Sequence, residues 1–459
     1  MKTDTPQAAG QDLQRLRGAD EVIGLLDGPA GAYLHVPFCS WICPFCPYNK
    51  VRADEDLASR YFRALEREVV ALRDAHQARF GVPFTSVYVG GGTPTLYLDR
   101  LQDVLALVPT TGAVAIEVLP THGTPRVFDR LAGMGVTAVS IGAQSFHDPV
   151  LRRLGRPHDA AAARSAVAAA VGRFDTVDVD LIVDVAFEGA ESGTPAGSFL
   201  ADVEACFDAG VDQVSTYPLM RFGYAPFGRA AHQRRREHAV LAEVGELAER
   251  MGYERASVWS FARSGAPPYT SITRRRFIGM GAGASSVLGE DFLVDHFGVA
   301  TYSTAVEQGQ VPVARRLHLG RWAGAAYDAF WQAYAGGVNL DRLGEDHGRV
   351  VRTAARTMLE PARWVGLMRR EGASLRLTPR GFNAYHDLER AVTYALIEPL
   401  WGEMLREHLD EAADLTPDVP SDDDFWARTE SARSGPVWRM SRRAFERPVG
   451  SVVPEPAAR

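Results

Sequence analysis

The sequence predicts an α/β protein: an open, partial (β/α)6 barrel followed by a mostly helical, winged-helix-like C-terminal region. Three observations carry this expectation. From Gly31 to about Met251, short β-branched runs alternate with longer amphipathic runs, the pattern of strand–helix units around a parallel sheet. The alternation stops after six units, two short of a closed eight-fold barrel. Beyond it, Leu317 to Leu409 reads as helix, interrupted by a small β-wing at Leu375–Leu377 and Thr378-Pro379-Arg380-Gly381.

The predicted strands are Ala32–Val36, Ser86–Gly90, Ala113–Leu119, Ala138–Ala143, Val177–Val183 and Gln213–Tyr217. Between and after them, helices are predicted over Leu57–Arg79, Arg100–Val108, Pro125–Gly133, Ala160–Val171, Ser198–Ala209 and His232–Met251. Val177–Val183 is apolar apart from Asp178 and Asp180, as in a strand buried on both faces; its acids then need a partner or a ligand. Gly252 to Gln310 reads as irregular and glycine-rich. The aromatic residues Trp322, Phe330, Trp331 and Tyr334 recur at helical spacing and read as core. The expected organisation is an N-terminal extension over 1–30, the barrel over 31–300, a helical and winged domain over 301–410, and a tail rich in Pro, Asp and Arg over 411–459.

Composition narrows the function. Of 459 residues, 46% are hydrophobic and 23% charged, with net charge −7. That is ordinary globular composition. No basic excess is present to hold a polyphosphate backbone, and no stretch of eighteen apolar residues is present to span a bilayer, so neither nucleic acid nor membrane is expected as a partner. Met1 to Ala19 is polar and shows no secretory signal. Thr273-Arg274-Arg275-Arg276-Phe277 imitates a twin-arginine export signal but is internal. A cytoplasmic, reducing location is expected, where clustered cysteines read as metal ligands more readily than as disulfides.

Three of the four cysteines, Cys39, Cys43 and Cys46, lie within eight residues directly after the first predicted strand. Three thiolates on one loop can bind three irons of a four-iron, four-sulfur cluster and leave the fourth iron open to a chelating ligand. A structural zinc site would need a fourth Cys or His nearby. Cys206, distant on a predicted helix, reads as a plain buried thiol. Gly90-Gly91-Gly92-Thr93, Glu117, Gln144, Arg156 and Asp180 fall at or just after strand ends, the rim where parallel α/β folds bind ligands. Arg156 suits a carboxylate, and Asp180 a ribose hydroxyl or a sulfonium. The Gly279–Ser286 run has G-x-G-x-G spacing without the strand–turn–helix context of a dinucleotide site.

Tyr33-Leu34-His35-Val36-Pro37-Phe38-Cys39…Cys43-Pro44-Phe45-Cys46 resembles the radical S-adenosylmethionine (SAM) superfamily, and within it the branch typified by oxygen-independent coproporphyrinogen III dehydrogenase. Gly90–Thr95, Glu117 with Pro120, Ser140–Phe146, Leu154-Gly155-Arg156, Asp178–Ile182 and Gly279–Ser286 follow in the branch's order. The resemblance covers roughly Gly31 to Leu409. It implies a partial radical SAM barrel, a [4Fe-4S] cluster on Cys39, Cys43 and Cys46, and SAM on the open iron. It further implies reductive cleavage of SAM to methionine and a 5′-deoxyadenosyl radical, with a donor such as flavodoxin or ferredoxin supplying the electron.

Three departures narrow the branch. Porphyrinogen decarboxylases carry a further cysteine two residues after the third cluster cysteine, where this chain has Tyr48. Haem chaperones carry His-Asn-x-x-Tyr-Trp before the late glycine motif, where this chain has Pro268-Tyr269-Thr270-Ser271-Ile272-Thr273-Arg274. The common Gly-Leu-Pro after the fifth strand is replaced by Asp184-Val185-Ala186-Phe187. Cys-Pro-Phe-Cys-Pro-Tyr-Asn-Lys is most similar to class C radical SAM methyltransferases, which bind two SAM molecules and methylate or cyclopropanate an sp2 carbon of a natural product. That resemblance assigns Tyr33, Gly91 and Glu117 to the cleaved SAM. It assigns Phe45, Gly92, Thr93, Gln144, Arg156 and Asp180 to the second SAM, with Ser285 in the late glycine motif as a further contact. The expected substrate is a small-molecule or peptide natural product. The last proton needs a base, and His35, Tyr217 and Tyr269 are candidates; for His35 a hydrogen-bonded structural role competes.

Overall fold

A computed structural model describes residues 16–183, 198–225, 234–266 and 276–412. Tyr269, the 184–187 segment and most of the 411–459 tail lie outside the described residues.

Six parallel strands form the centre: β1 (Gly31–Val36), β2 (Val87–Gly91), β3 (Val114–Val118), β4 (Ala138–Gln144), β5 (Thr176–Val183) and β6 (Gln213–Pro218). They lie side by side in that order, each within about a residue of its expected bounds. The helices between them are α2 (Glu55–Phe80), α3 (Leu98–Ala106), α4 (Pro125–Gly133), α5 (Asp148–Arg153), α6 (Ala160–Ala170) and α7 (Ser198–Asp208), after a short α1 (Ala19–Gly24); α8 (Arg234–Arg250) follows β6. Local chemistry sets their ends. Asp54 caps α2 by accepting from the Leu57 amide, Gly81 stops it at φ 70°, and Asp159 caps α6, the side-chain and left-handed caps expected at helix ends.

The span from Gly252 to Gln310 differs from its reading as irregular. It holds β7 (Tyr253–Arg255), β8 (Ser260–Arg263), β9 (Phe277–Met280), β10 (Ser285–Leu288), β11 (Asp291–Asp295) and α9 (Val299–Glu307). Strands of three to five residues separated by glycine turns carry too little periodicity to be seen in sequence. β9 runs parallel beside β1, and β10, β11 and β12 (Val313–His318) follow it antiparallel. The twelve-stranded sheet therefore runs β12-β11-β10-β9-β1-β2-β3-β4-β5-β6-β8-β7 and does not close. Gly279–Ser286 forms a strand–turn–strand, which settles the dinucleotide question against it.

The C-terminal part contains α10 (Gly320–Tyr334), β13 (Gly337–Asn339), α11 (Leu340–His347), α12 (Arg349–Trp364), β14 (Met368–Glu371), β15 (Ser374–Leu377), α13 (Pro379–Val392) and α14 (Glu398–Ala412). β13, β15 and β14 form the small wing sheet. Tyr334, Val338, Leu343, Leu375 and Tyr385 share one apolar core with Trp259 of the barrel, and Phe330 and Trp331 pack against it; Trp322, by contrast, is 58% exposed. A buried polar chain reinforces that junction: Trp259 Nε1 donates to His386 Nδ1 at 2.9 Å and His386 Nε2 to Glu237 at 2.8 Å. Among the described residues no helix is long and apolar enough to cross a membrane.

Candidate cluster and cofactor site

The cysteine loop leaves β1 at Val36 and is held at both ends by backbone bonds. The Phe38 carbonyl accepts from Thr93 N at 2.7 Å, Pro37 O from Val51 N at 2.7 Å and Cys39 O from Ala53 N at 2.8 Å. Lys50 Nζ donates to the Cys46 carbonyl at 2.7 Å. Across the barrel mouth, Trp41 Nε1 donates to Gly155 O at 2.7 Å, and Pro44 sits where a side chain at Gly155 would fall. Cys39 is buried, Cys43 and Cys46 partly so, and all three are free thiols.

Two of the sulfurs have a polar neighbour. Arg156 Nη1 donates to Cys43 Sγ at 3.3 Å, and the Thr93 hydroxyl faces Cys39 Sγ at 3.7 Å. Burial drives the Cys39 thiol up to about 12; it also raises Cys43, against the pull of Arg156. Without metal the loop therefore holds thiols, and iron would bind with release of protons. The donor set fits an iron–sulfur cluster better than a lone ion. Among the described residues the one trio of such ligand atoms within 4.8 Å of one another is His238, His386 and Asp387. Sulfurs bonded to a single zinc at about 2.3 Å would have to lie closer than that.

The strand registers place one line of polar side chains on the barrel's inner face. Tyr33 pairs with Tyr88, Glu117 with Ser140, and Ser140 with Asp178; paired residues share a face of the sheet. Tyr88 O–H donates to Glu117 Oε1 at 2.7 Å and the Gly91 amide to Oε2 at 3.3 Å. Burial, reinforced by Asp180, still raises the Glu117 carboxyl to about 7. Gly91 has φ 117°, and a Cβ there would stand 2.9 Å from Val36 O, while one at Gly92 would stand 2.6 Å from Phe38 O. The glycine run is thus required by the approach of the β2 end to the cysteine loop, independent of any ligand.

A second group gathers at the ends of β4 and β5. β4 loses register between Ile141 and Gln144, and Gln144 adopts φ 66°, a conformation costly outside glycine and concentrated at functional sites. Arg156 Nη2 donates to Gly142 O at 2.7 Å. Ser140 Oγ donates to Asp180 Oδ2 at 2.7 Å, and burial raises Asp180 to about 6. Asp178, fully buried, accepts from Ser215 at 3.0 Å and is pushed well above the carboxylate range by burial and by Asp180. Arg156 Nε and Asp180 Oδ1 are buried without a partner. Phe45 packs beside this group on Leu154 and Ile182.

The expected bases fare differently. His35 Nε2 faces the Asn49 carbonyl at 2.9 Å and Nδ1 the Tyr33 hydroxyl at 2.7 Å. A carbonyl only accepts, so Nε2 keeps its proton and Nδ1 receives the Tyr33 O–H; burial lowers the ring to about 4. Both ring nitrogens of His35 are thus hydrogen-bonded within the fold, the structural arrangement weighed against its use as a base. Tyr217 sits at 5.9 Å edge-to-face on Trp259, toward the C-terminal core. Ser285 lies on β10, two strands from Tyr33 by way of Gly279, apart from the Glu117 and Arg156 groups.

Sequence reasoning missed Tyr88, which shows only as a polar position on a strand, and it quoted Ser140 and Asn49 within motifs without giving them a role; Asn49 acts through its side-chain bonds to Ala282 O and Phe297 O. It singled out Tyr48 only as a departure. Tyr48 is 51% exposed and its ring lies 5.7 Å from Trp401 of α14. A cavity of about 370 Å³ lies elsewhere, between α2, α9 and β9–β11, and no predicted site residue lines it.

Known proteins agree with this arrangement. The radical SAM superfamily model matches residues 33–185. The chain is 31% identical over 290 residues to the heme chaperone HemW of Mycobacterium tuberculosis, covering 54% of this chain and 71% of the relative. It is 25% identical over 327 residues to the oxygen-independent coproporphyrinogen III oxidase of Pseudomonas aeruginosa, covering 63% and 68%. In fold it is similar to coproporphyrinogen III oxidase (HemN) from Escherichia coli, with a TM-score of 0.66 at 21% identity over 80% of this chain and 91% of that one. With the cysteine loop at the end of β1 and the polar rim across β2 to β5, the chain belongs to the radical SAM superfamily, in its HemN-like branch, whose members are built around a four-iron, four-sulfur cluster and SAM.

Proposed function

We propose that the protein is a radical SAM C-methyltransferase or cyclopropanase. In this reading it holds the cluster on Cys39, Cys43 and Cys46 and binds two SAM molecules, one cleaved and one donating its carbon to an sp2 carbon of a natural product. The cleaved molecule lies against Tyr33, Gly91 and Glu117; the donor lies against Phe45, Gly92, Thr93, Gln144, Arg156 and Asp180. When bound, the cluster supplies the electron that breaks the first sulfonium bond, drawn from a flavodoxin- or ferredoxin-like donor.

The observation that carries this reading is the pair Arg156 Nε and Asp180 Oδ1. They are a buried donor and a buried acceptor, both without partners, at the ends of β4 and β5, beside the Glu117–Gly91 pair with Ser140 between. Orphaned buried polar atoms are costly, and an amino-acid-like ligand offers a carboxylate to one and a hydroxyl to the other. Glu117, raised to about 7, can donate or accept near neutrality. Tyr217 remains a candidate for the final proton, and Tyr269 remains one on sequence alone.

The relatives' names favour a second reading, haem chaperone or coproporphyrinogen oxidation. Tyr48 in the place of a cysteine and Pro268–Arg274 in the place of His-Asn-x-x-Tyr-Trp weigh against it. Reconstituted protein with dithionite and SAM separates the two. Methyl transfer requires both 5′-deoxyadenosine and S-adenosylhomocysteine, and formation of the first alone with every conjugated acceptor offered would rule it out. Tight haem binding without turnover, or carbon dioxide from coproporphyrinogen III, would establish the second reading.

A further inference from the structure

We infer that Arg156 sets the reduction potential of the cluster through its bond to Cys43, in addition to any ligand it holds. The inference rests on the family's cluster and not on the methyl-transfer reading.

The guanidinium is anchored on two sides: Nη1 donates to Cys43 Sγ at 3.3 Å and Nη2 to Gly142 O at 2.7 Å. The corner that carries it is fixed against the cysteine loop. Gly155 takes φ 65°, its carbonyl accepts from Trp41 Nε1 at 2.7 Å, and Pro44 packs on its Cα. The Arg156 amide donates to Leu151 O at 2.9 Å, and Leu154 beside it is fully buried. Loop and corner therefore hold the cation on the sulfur as part of the fold, before any ligand arrives.

The cation on the loop itself, Lys50, also lends its charge to Cys39 and Cys43 but bonds elsewhere. Lys50 Nζ turns to the main-chain carbonyls of Cys46 and Tyr48, at 2.7 and 3.2 Å. Reduction adds one negative charge to the cluster, and hydrogen bonds to its sulfurs and nearby net charge set where that happens. A guanidinium keeps its charge at every accessible pH. Its N–H···S bond is charge-assisted and stabilises the reduced state more than the oxidised one. It offsets its charged neighbour Asp180, whose ionised form acts in the opposite direction.

The test is reduction of reconstituted protein at controlled potentials, without SAM, read by the electron paramagnetic resonance signal of the reduced cluster, with iron and sulfide counted in each sample. Arg156→Met and Arg156→Gln should keep iron and sulfide yet show a more negative midpoint. At the potential where half of the wild type is reduced, their reduced fraction should fall several-fold. Arg156→Lys, which keeps the charge without the planar fork, should lie between. Midpoints of Arg156→Met and Arg156→Gln that coincide with wild type, with the cluster intact, overturn the inference. Should Arg156→Met fail to hold iron, Arg156→Gln, whose amide can still reach Gly142 O, decides on the same criterion. A failure of methyl transfer leaves these midpoints untouched.

Discussion

His35 and Asn49 are joined by a hydrogen bond of 2.9 Å from the ring Nε2 to the main-chain carbonyl, which ties the last inward side chain of β1 to the chain just beyond the cysteine loop. Asn49 carries the tie onward through Nδ2 to Ala282 O at 3.0 Å and Phe297 O at 2.9 Å. The loop is thus clamped between β1 and the turn after β9. Gly283, at φ 81°, must be glycine because a Cβ there would meet the Asn49 amide at 2.6 Å.

This clamp predicts that His35→Gln and His35→Ala differ. Glutamine can still donate to the Asn49 carbonyl, so His35→Gln should keep its iron and its SAM cleavage within about an order of magnitude. His35→Ala leaves a buried carbonyl unpaired, at about 1–3 kcal/mol, and should lose cluster content. Iron per protein after anaerobic reconstitution reads the difference. If His35 served as the base, His35→Gln would instead cleave SAM normally and fail only at the last proton.

The cysteines give a sharper contrast. Cys43→Ala removes one of three ligands and should abolish the brown chromophore and all SAM cleavage. Cys206 is fully buried on α7 among apolar neighbours. Cys206→Ala should keep full iron content and activity, at a stability cost of about 1 kcal/mol for the small void. Iron and sulfide assays with a thermal melt test both; a cluster that survives Cys43→Ala would overturn the ligand assignment.

Glu117 and Asp180 should fail at different points. Glu117→Gln disturbs the group around Gly91, where the cleaved SAM is proposed to lie, and should cut 5′-deoxyadenosine formation by about 100-fold, the scale on which misplaced reacting groups act. Asp180→Asn keeps the volume and the Ser140 bond but changes the acceptor left open. It should leave 5′-deoxyadenosine formation within several-fold while S-adenosylhomocysteine falls ten-fold or more. Product quantification by chromatography decides; equal losses of both products in both variants would argue for a single SAM.

Much of this was legible in the sequence because it is local. β1 to β6 and the helices between them, apart from the short α5, follow from alternation of β-branched and amphipathic runs, and the cysteine loop from spacing alone. What was hidden depends on neighbours distant in the chain. The strands from Tyr253 to Asp295 gain their structure by adding to the edges of a sheet already formed, so their own residues carry little pattern. Tyr88 becomes part of the site only because its register sets its hydroxyl on Glu117. The partner of His35 Nε2 is a carbonyl fourteen residues away, which no residue-type argument can supply.

The pair Glu68 and Asp295 gives a prediction outside the site. Glu68, on α2, accepts from Tyr302 O–H at 2.5 Å and from the Gly281 amide at 2.9 Å. Burial nonetheless raises its carboxyl from 4.5 to about 7, and Asp295, with one buried oxygen unpaired, is raised further by burial and by Glu68. The folded state thus binds the Glu68 proton more tightly than the unfolded chain does. The stability this lends is fully present below pH 4.5 and is lost as pH rises through about 7. Glu68→Gln keeps an oxygen to accept both bonds and cannot ionise. It should match the wild type near pH 4.5 and exceed it above pH 7, by on the order of 1–3 kcal/mol, since Asp295 is also relieved of a like charge. Thermal melts of both proteins at pH 4.5, 6 and 8 test this. A constant difference across that range, or a deficit at pH 8, would show that Glu68 is ionised and balanced in the fold.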